Sequence, residues 1–310
     1  MRTALTAITD ELKRLKATGV KSVAVSDESV AILRRAVAAR AAKTGDRKPE
    51  TGKIDPPATL RSSAPAAPAP VLTRPVVKAP APSEPKLPAP PVVILPDGDK
   101  AARLAWLRDL VLNHPVCTAN IRPGKKVVLG VGSPDAKIMF VGEAPGAEEE
   151  VQGEPFVGPA GQLLTKMING MGLKRSDIYI GNIMNWRPQT PTTAGAEQIG
   201  NRAPTAEEMA FCLPFLRAQI EIVNPDVIVA LGSTAAQGLL GADSFKTLGE
   251  IRGRWKQFAS KPVMVTYHPS YILRNASNRS KRMVWEDLLQ VMERTGMPIS
   301  DKQRGYFLDK

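Results

Sequence analysis

Four short apolar runs, each closed by a loop of Gly, Pro or polar residues and separated from the next by helical periodicity, constrain what residues 101–300 can become. The runs are KIMFVG (137–142), IYIGNIM (178–184), VIVAL (227–231) and VMVTY (263–267). Apolar runs this short, without polar alternation, suit strands buried on both faces. The helical patterns between them are Leu163/Leu164/Met167/Ile168/Met171, residues 205–223 opened by a Thr205/Glu208 capping box, 235–240 and 283–292. Such alternation folds as parallel strands, because each crossover helix must return across a face of the sheet. The expectation is an α/β fold: a central, mostly parallel sheet of about four strands with helices on both faces, an α/β/α sandwich. Ligands of such sheets bind beyond the carboxyl ends of the strands, so the chemistry is sought in the loops that follow them.

Other parts of the chain obey other rules. Between Pro49 and Pro96 lie 14 of the 28 prolines. Proline removes a backbone donor and fixes φ, so 45–100 reads as an extended Pro/Ala-rich linker. Residues 1–44 carry the patterns Leu5/Ile8/Leu12/Leu15 and Val30/Ile32/Leu33/Val37 and read as a small helical N-terminal segment. The catalytic domain is expected over 101–300 and a C-terminal tail over 301–310. No apolar run approaches the ~18 residues that span a bilayer, and the charged N-terminus lacks the apolar core of a signal peptide. A cytoplasmic protein with no membrane partner is therefore expected. The net charge of +12 favours an anionic partner, nucleic acid first. Two cysteines are too few for a disulfide framework or a four-thiolate metal site.

After the first strand come GEAPGAEEE (142–150) and EPFVGPAG (154–161); after the second, Asn182 and then Arg187-Pro188; after the fourth, HPSYILR (268–274). Glycines beside a proline let backbone amides approach a ligand closely. Carboxylate, aromatic ring, amide and imidazole would meet on one rim. Glu148 and Glu150 are expected in solvent, and Arg252, Arg254, Lys256 and Lys261 on a solvated hairpin face. The phosphate-binding pattern GxxxxGK[ST] is absent.

Taken in order, these motifs resemble those of the family 4 uracil-DNA glycosylases over residues 104–295. The resemblance implies a monofunctional hydrolase that cleaves the N-glycosidic bond of uracil in DNA and leaves an abasic site for base excision repair. A monomer is expected. It implies a uracil-binding set of Gly142, Ala144, Phe156, Asn182 and His268. Its catalytic set is Glu143, Glu149, Asn201 and His268, and Ser270, Ile272, Leu273 and Arg274 engage DNA. The residue types suit that chemistry. An amide offers a donor and an acceptor to uracil O4 and N3–H, a pattern that cytosine reverses. An imidazole can donate to O2 as negative charge gathers there. Ala144 stands where the most studied uracil glycosylases carry an Asp that activates water, so that task passes to other groups, Glu143 first. Two alternatives stay open: a protein of the same fold that binds uracil or abasic DNA without efficient cleavage, and a glycosylase of broader deaminated-base specificity.

The family usually also holds a four-iron, four-sulfur cluster on four cysteines. Here Cys212 keeps one ligand position, Trp186 replaces a second in NWRP, and before the first strand only Cys117 remains, with His114 three residues earlier. Tryptophan cannot ligate iron. No cofactor and no metal are expected, His114, Cys117 and Cys212 being the only candidate ligands, and Trp186 is expected to fill the space of the cluster. The insertion QTPTTAGAEQIG (189–200) contains no histidine, so the covalent capture of the abasic sugar known in one relative is not expected.

Overall fold

Each of the four apolar runs forms a strand, and together they make the parallel centre of one sheet. The computed structural model describes residues 87–192 and 196–308. Its strands are β1 (Val131–Gly132), β2 (Ile138–Gly142), β3 (Tyr179–Asn182), β4 (Val227–Leu231), β5 (Trp255–Phe258) and β6 (Lys261–Thr266), in the order β1-β3-β2-β4-β6-β5. β3, β2, β4 and β6 run parallel, while β1 and β5 add antiparallel edges. The described sheet thus has six strands rather than about four. Neither edge strand carries an apolar run: β1 has two residues, and in β5 only the end residues Trp255 and Phe258 turn inward. β5 reaches β6 through Ala259 and Ser260 at φ 48° and 62°, the left-handed pair of a two-residue hairpin turn.

The helices are α1 (Lys100–Leu112), α2 (Pro115–Ala119), α3 (Ala147–Gln152), α4 (Pro159–Gly170), α5 (Ala206–Val223), α6 (Ser233–Leu240), α7 (Leu248–Ile251), α8 (Pro269–Arg274), α9 (Asn278–Arg294) and α10 (Asp301–Arg304). Successive strand residues point to opposite faces, so each strand feeds two cores. Ile138 and Phe140 join Ile180 and Val229 against Leu164 and Ile168 of α4 and Leu288 of α9. Met139 and Val141 join Ile228 and Val265 against Leu216 and Ile220 of α5 and Ala235 of α6. The expected capping box forms at α5: the Thr205 hydroxyl accepts from the Glu208 amide at 3.1 Å, and the Glu208 carboxylate accepts from the Thr205 amide at 2.7 Å.

A third apolar cluster of Leu107, Val111, Cys117, Trp186, Phe211, Cys212 and Phe215 lies beside α1 and α5, and Leu87, Val93 and Leu95 pack against it. The end of the expected linker therefore lies on the domain, because the apolar residues between its prolines find a surface to cover. At the other terminus, Trp285 donates from Nε1 to the Gln303 carbonyl at 2.6 Å and its ring stands 5.1 Å from that of Tyr306. The expected tail is thus folded at least to Tyr306. Of the hairpin cations, Arg254 and Lys256 are exposed, but Arg252 turns inward to the buried Asp287, at 2.6 Å. The expected helical segment 1–44 and the linker to residue 86 lie outside the described residues. Among the described residues no helix is long and apolar enough to cross a membrane.

Register decides where the loops meet. Gly142 of β2 pairs with Asn182 of β3, and Leu231 of β4 with Thr266 of β6. The four parallel strands end along one edge, so the segments that follow them share one space.

Candidate active site

That space is a cavity of about 450 Å³ whose walls include Glu143, Ala144, Glu149, Phe156, Asn182, Asn201, His268, Ser270 and Arg274. Gly142, expected in the uracil-binding set, lies behind the wall rather than on it: a β-carbon there would strike Asn182 Oδ1 and the Phe156 ring. Two residues expected to engage DNA do not join the wall either. Ile272, expected at the DNA surface, is only 5 % exposed and packs in the core, because the short helix α8 turns Pro269 and Ile272, three positions apart, inward together. Leu273 is 49 % exposed. Another cavity of about 450 Å³, between α4, α9 and the C-terminal segment, is lined by Met167, Trp285, Leu288 and Phe307 among others and has no carboxylate or imidazole. Convergent chemistry belongs to the first.

Asn182 closes β3 with its side chain buried and its Oδ1 without a hydrogen-bond partner. A buried acceptor left unpaired costs about 1–3 kcal/mol, which a ligand N–H would recover. Phe156 holds φ at +54°, a left-handed backbone that is strained for an aromatic residue. Gly161 permits this, since a β-carbon at 161 would overlap the Phe156 carbonyl. The result sets the Phe156 ring 5.6 Å from the His268 imidazole, tilted by 33°.

His268 follows β6 as the cap of α8. Its Nδ1 accepts the Ser270 amide at 3.1 Å and lies 2.8 Å from the Ser270 hydroxyl. A ring nitrogen that accepts from an amide carries no proton, so the neutral imidazole is protonated at Nε2. Burial, and then the Arg274 charge, pull the pKa down to about 4 against a smaller upward pull from Glu149.

The carboxylates divide by environment. Burial pushes the Glu143 pKa up, partly offset by a hydrogen bond with Thr234. Glu149 spends its oxygens on backbone: Oε2 accepts from Gly146, and Oε1 from Val157 and Gly158, each at 3.0 Å. It ties the two glycine-rich segments together. Glu148 is exposed as expected, but Glu150 is buried and paired with Arg187 at 2.8 Å, because α3 turns its last acidic residue toward the domain. Arg187 also donates from Nε to Asn201 Oδ1 at 2.8 Å. Gly232, Ser233 and Thr234, which follow β4, line the cavity as well. The strand-end rule, applied to VIVAL as to the other runs, points to them.

The residues around Trp186 do not fit an iron–sulfur cluster. Trp186 is buried in the third apolar cluster with its ring 6.0 Å from that of Phe211. Burial pushes the Cys117 thiol up to about 12 and the Cys212 thiol well above its ordinary value, and two thiols with one imidazole fall short of the four ligands that a cluster takes. His114 accepts the Val116 amide at Nδ1 and stands edge-on to Phe211 and Phe215. Among the described residues no three His, Cys, Asp or Glu side chains are grouped to hold a metal ion.

Comparison with known proteins agrees with this geometry. The family model described as the uracil DNA glycosylase superfamily matches residues 129–289, just over half of the chain. The type-4 uracil-DNA glycosylase of Thermotoga maritima is 47 % identical over 165 residues, covering 52 % of this chain and 79 % of the relative. That of Archaeoglobus fulgidus is 42 % identical over 154 residues, covering 47 % and 71 %, and that of Pyrobaculum aerophilum 38 % over 184 residues, covering 57 % and 88 %. With the matched span running from just before β1 into α9 and so embracing every strand and the cavity at their ends, the chain belongs to the uracil DNA glycosylase superfamily.

Proposed function

We propose that this protein is a uracil-DNA glycosylase that flips the nucleotide out of the stack and hydrolyses the bond between uracil N1 and deoxyribose C1′, leaving an abasic site for base excision repair. One observation carries the reading: Asn182, whose buried Oδ1 has no hydrogen-bond partner, lines one cavity together with the Phe156 ring and the His268 imidazole. Uracil N3–H supplies the missing donor to Oδ1, and the Asn182 NH₂ donates to O4. Cytosine has an acceptor at N3 and a donor at N4, so it mismatches both. Phe156 stacks on the extruded base, as flipped bases require.

Bond cleavage leaves negative charge on uracil and positive charge on the sugar. His268, neutral with its proton on Nε2, donates to O2 where the negative charge gathers, without first having to lose a proton. Glu143, less committed to backbone than Glu149, faces the sugar cation and takes a proton from the attacking water. Ser270 and Arg274 line the cavity, Leu273 is exposed on the same short helix, and a phosphate contact by Arg274 makes binding fall with rising salt.

The test is an end-labelled oligonucleotide with one uracil, incubated with the protein and then treated with alkali. Strand breakage at the uracil, absent with the matching thymine oligonucleotide, is expected. Persistent binding without breakage would overturn the reading in favour of a non-catalytic binder.

A further inference from the structure

We propose, on the strength of the glycosylase reading, that Arg187 is the positioning residue of the water-capture step: it holds Asn201 with the amide NH₂ turned into the cavity. Arg187 lies beyond β3, buried, and is not part of the cavity wall. Its guanidinium donates from Nε to Asn201 Oδ1 at 2.8 Å, from Nη1 to Glu150 Oε1 at 2.8 Å, and from Nη2 to the carbonyls of Gln198 and Gly200 at 3.3 and 2.8 Å. A guanidinium has donors and no acceptor, so the face that Asn201 turns to it must be the oxygen. The NH₂ is left for the other side. Asn201 lines the cavity, and its Nδ2 lies 3.8 Å from where a β-carbon on Gly146 would stand, close to the loop that carries Glu143.

The arrangement joins three segments through one planar group. Glu150 belongs to α3, immediately after Glu149, while Gln198 and Gly200 belong to the loop that leads to Asn201. Lysine, a point charge on a flexible stem, cannot reproduce this fork. The cavity then presents an acceptor, Glu143, and a fixed donor, Asn201. A water between them gives a proton to the carboxylate, accepts from the amide, and keeps a lone pair for the sugar. The C1′–N1 bond breaks with its electron pair going to uracil, the water oxygen bonds to C1′, and its proton passes to Glu143.

The experiment compares single-turnover uracil release by the full chain with Arg187→Lys, Asn201→Ala, Asn201→Asp and the Arg187→Lys/Asn201→Ala double variant. Binding to a non-cleavable 2′-fluoro-deoxyuridine oligonucleotide is measured in parallel. Arg187→Lys is expected to slow release at least tenfold with binding within twofold, and to add little once Asn201 is Ala. An equal loss in both backgrounds, or no loss, overturns the role. Because Arg187→Lys disturbs a buried pair, Asn201→Asp supplies a fold-preserving check. Arg187 keeps one oxygen and the other replaces the NH₂, so release is expected to be slower than for Asn201→Ala. The reverse order overturns the role. An unsubstituted chain that releases no uracil sinks the glycosylase reading and this inference with it, whereas an active chain with additive losses sinks only the inference.

Discussion

Gly142 and Asn182 are register partners on neighbouring parallel strands, and the space a β-carbon would take on the glycine is already held by the asparagine's amide oxygen and the ring of Phe156. The two side chains that would read a base are thus aligned by a residue that has none. Gly142→Ala is expected to displace both. Overpacking costs about 1–3 kcal/mol of stability. Uracil release should fall by about 100-fold, the scale of a 1 Å misplacement, in a strand-cleavage assay run beside denaturant unfolding.

Asn182→Asp exchanges the NH₂ for a second acceptor. Release from uracil oligonucleotides should drop by about 100-fold or more, and the uracil-to-cytosine rate ratio should shift toward cytosine, whose amino group suits a carboxylate. An unchanged ratio would remove Asn182 from base reading.

The acid limb of the rate profile follows from two groups. The proposed mechanism needs Glu143 ionised, with its pKa raised by burial, and His268 neutral, with its pKa lowered to about 4. As pH falls, Glu143 protonates first, so activity is lost above the ordinary carboxylate range. Glu143→Gln should cut the rate on the order of 10²–10⁴-fold and move the remaining limb down toward that of His268.

Stability should run against activity at the same residue. Because its folded pKa is raised, Glu143 contributes stability at pH below its ordinary value, and that contribution is lost as pH rises through the folded pKa. Glu143→Gln should therefore raise Tm at neutral pH. His268 has the opposite sign: its contribution is complete above pH 6.5 and drains away as pH falls toward about 4. His268→Gln should flatten that part of the stability profile.

Glu148 and Glu150, two positions apart, should behave differently. Glu150→Ala leaves the buried Arg187 charge unpaired and should cost about 3–5 kcal/mol, whereas Glu148→Ala should stay within about 0.5 kcal/mol. Chemical denaturation of both variants checks this.

Trp186 should act as apolar filling. Trp186→Ala is expected to cost about 3–5 kcal/mol, and freshly purified protein should show no visible cluster absorbance and no change in rate after iron chelation. A stoichiometric iron–sulfur chromophore would overturn this account.

Much of this was legible in advance where the signal is local. The runs from Ile138, Tyr179, Val227 and Val263 read as strands because they are buried on both faces, and Thr205 with Glu208 announced the start of α5. The run from Arg252 to Lys261 read as a solvated hairpin, but that its Trp255 arm forms the edge of the central sheet was not legible, because its polar residues face out and only pairing with β6 fixes it there. Ser233 and Thr234 are legible by the strand-end rule, although they carry no motif of their own. The partnership of Glu150 with Arg187 has no local mark, since the two are 37 residues apart and an acidic run looks the same in or out of water.

The order of residues along the chain determines the parallel sheet, the edge at which its loops gather, and the amide, ring and imidazole that meet there, since each depends on hydrophobic period or on residue type at a strand end. Tertiary packing alone decided which carboxylate stays available and which is consumed by backbone amides, that Ile272 turns inward while Leu273 does not, and which way Asn201 faces. Those outcomes depend on burial and on the directions of donors brought together from distant segments. Neither quantity is a property of any short stretch of sequence.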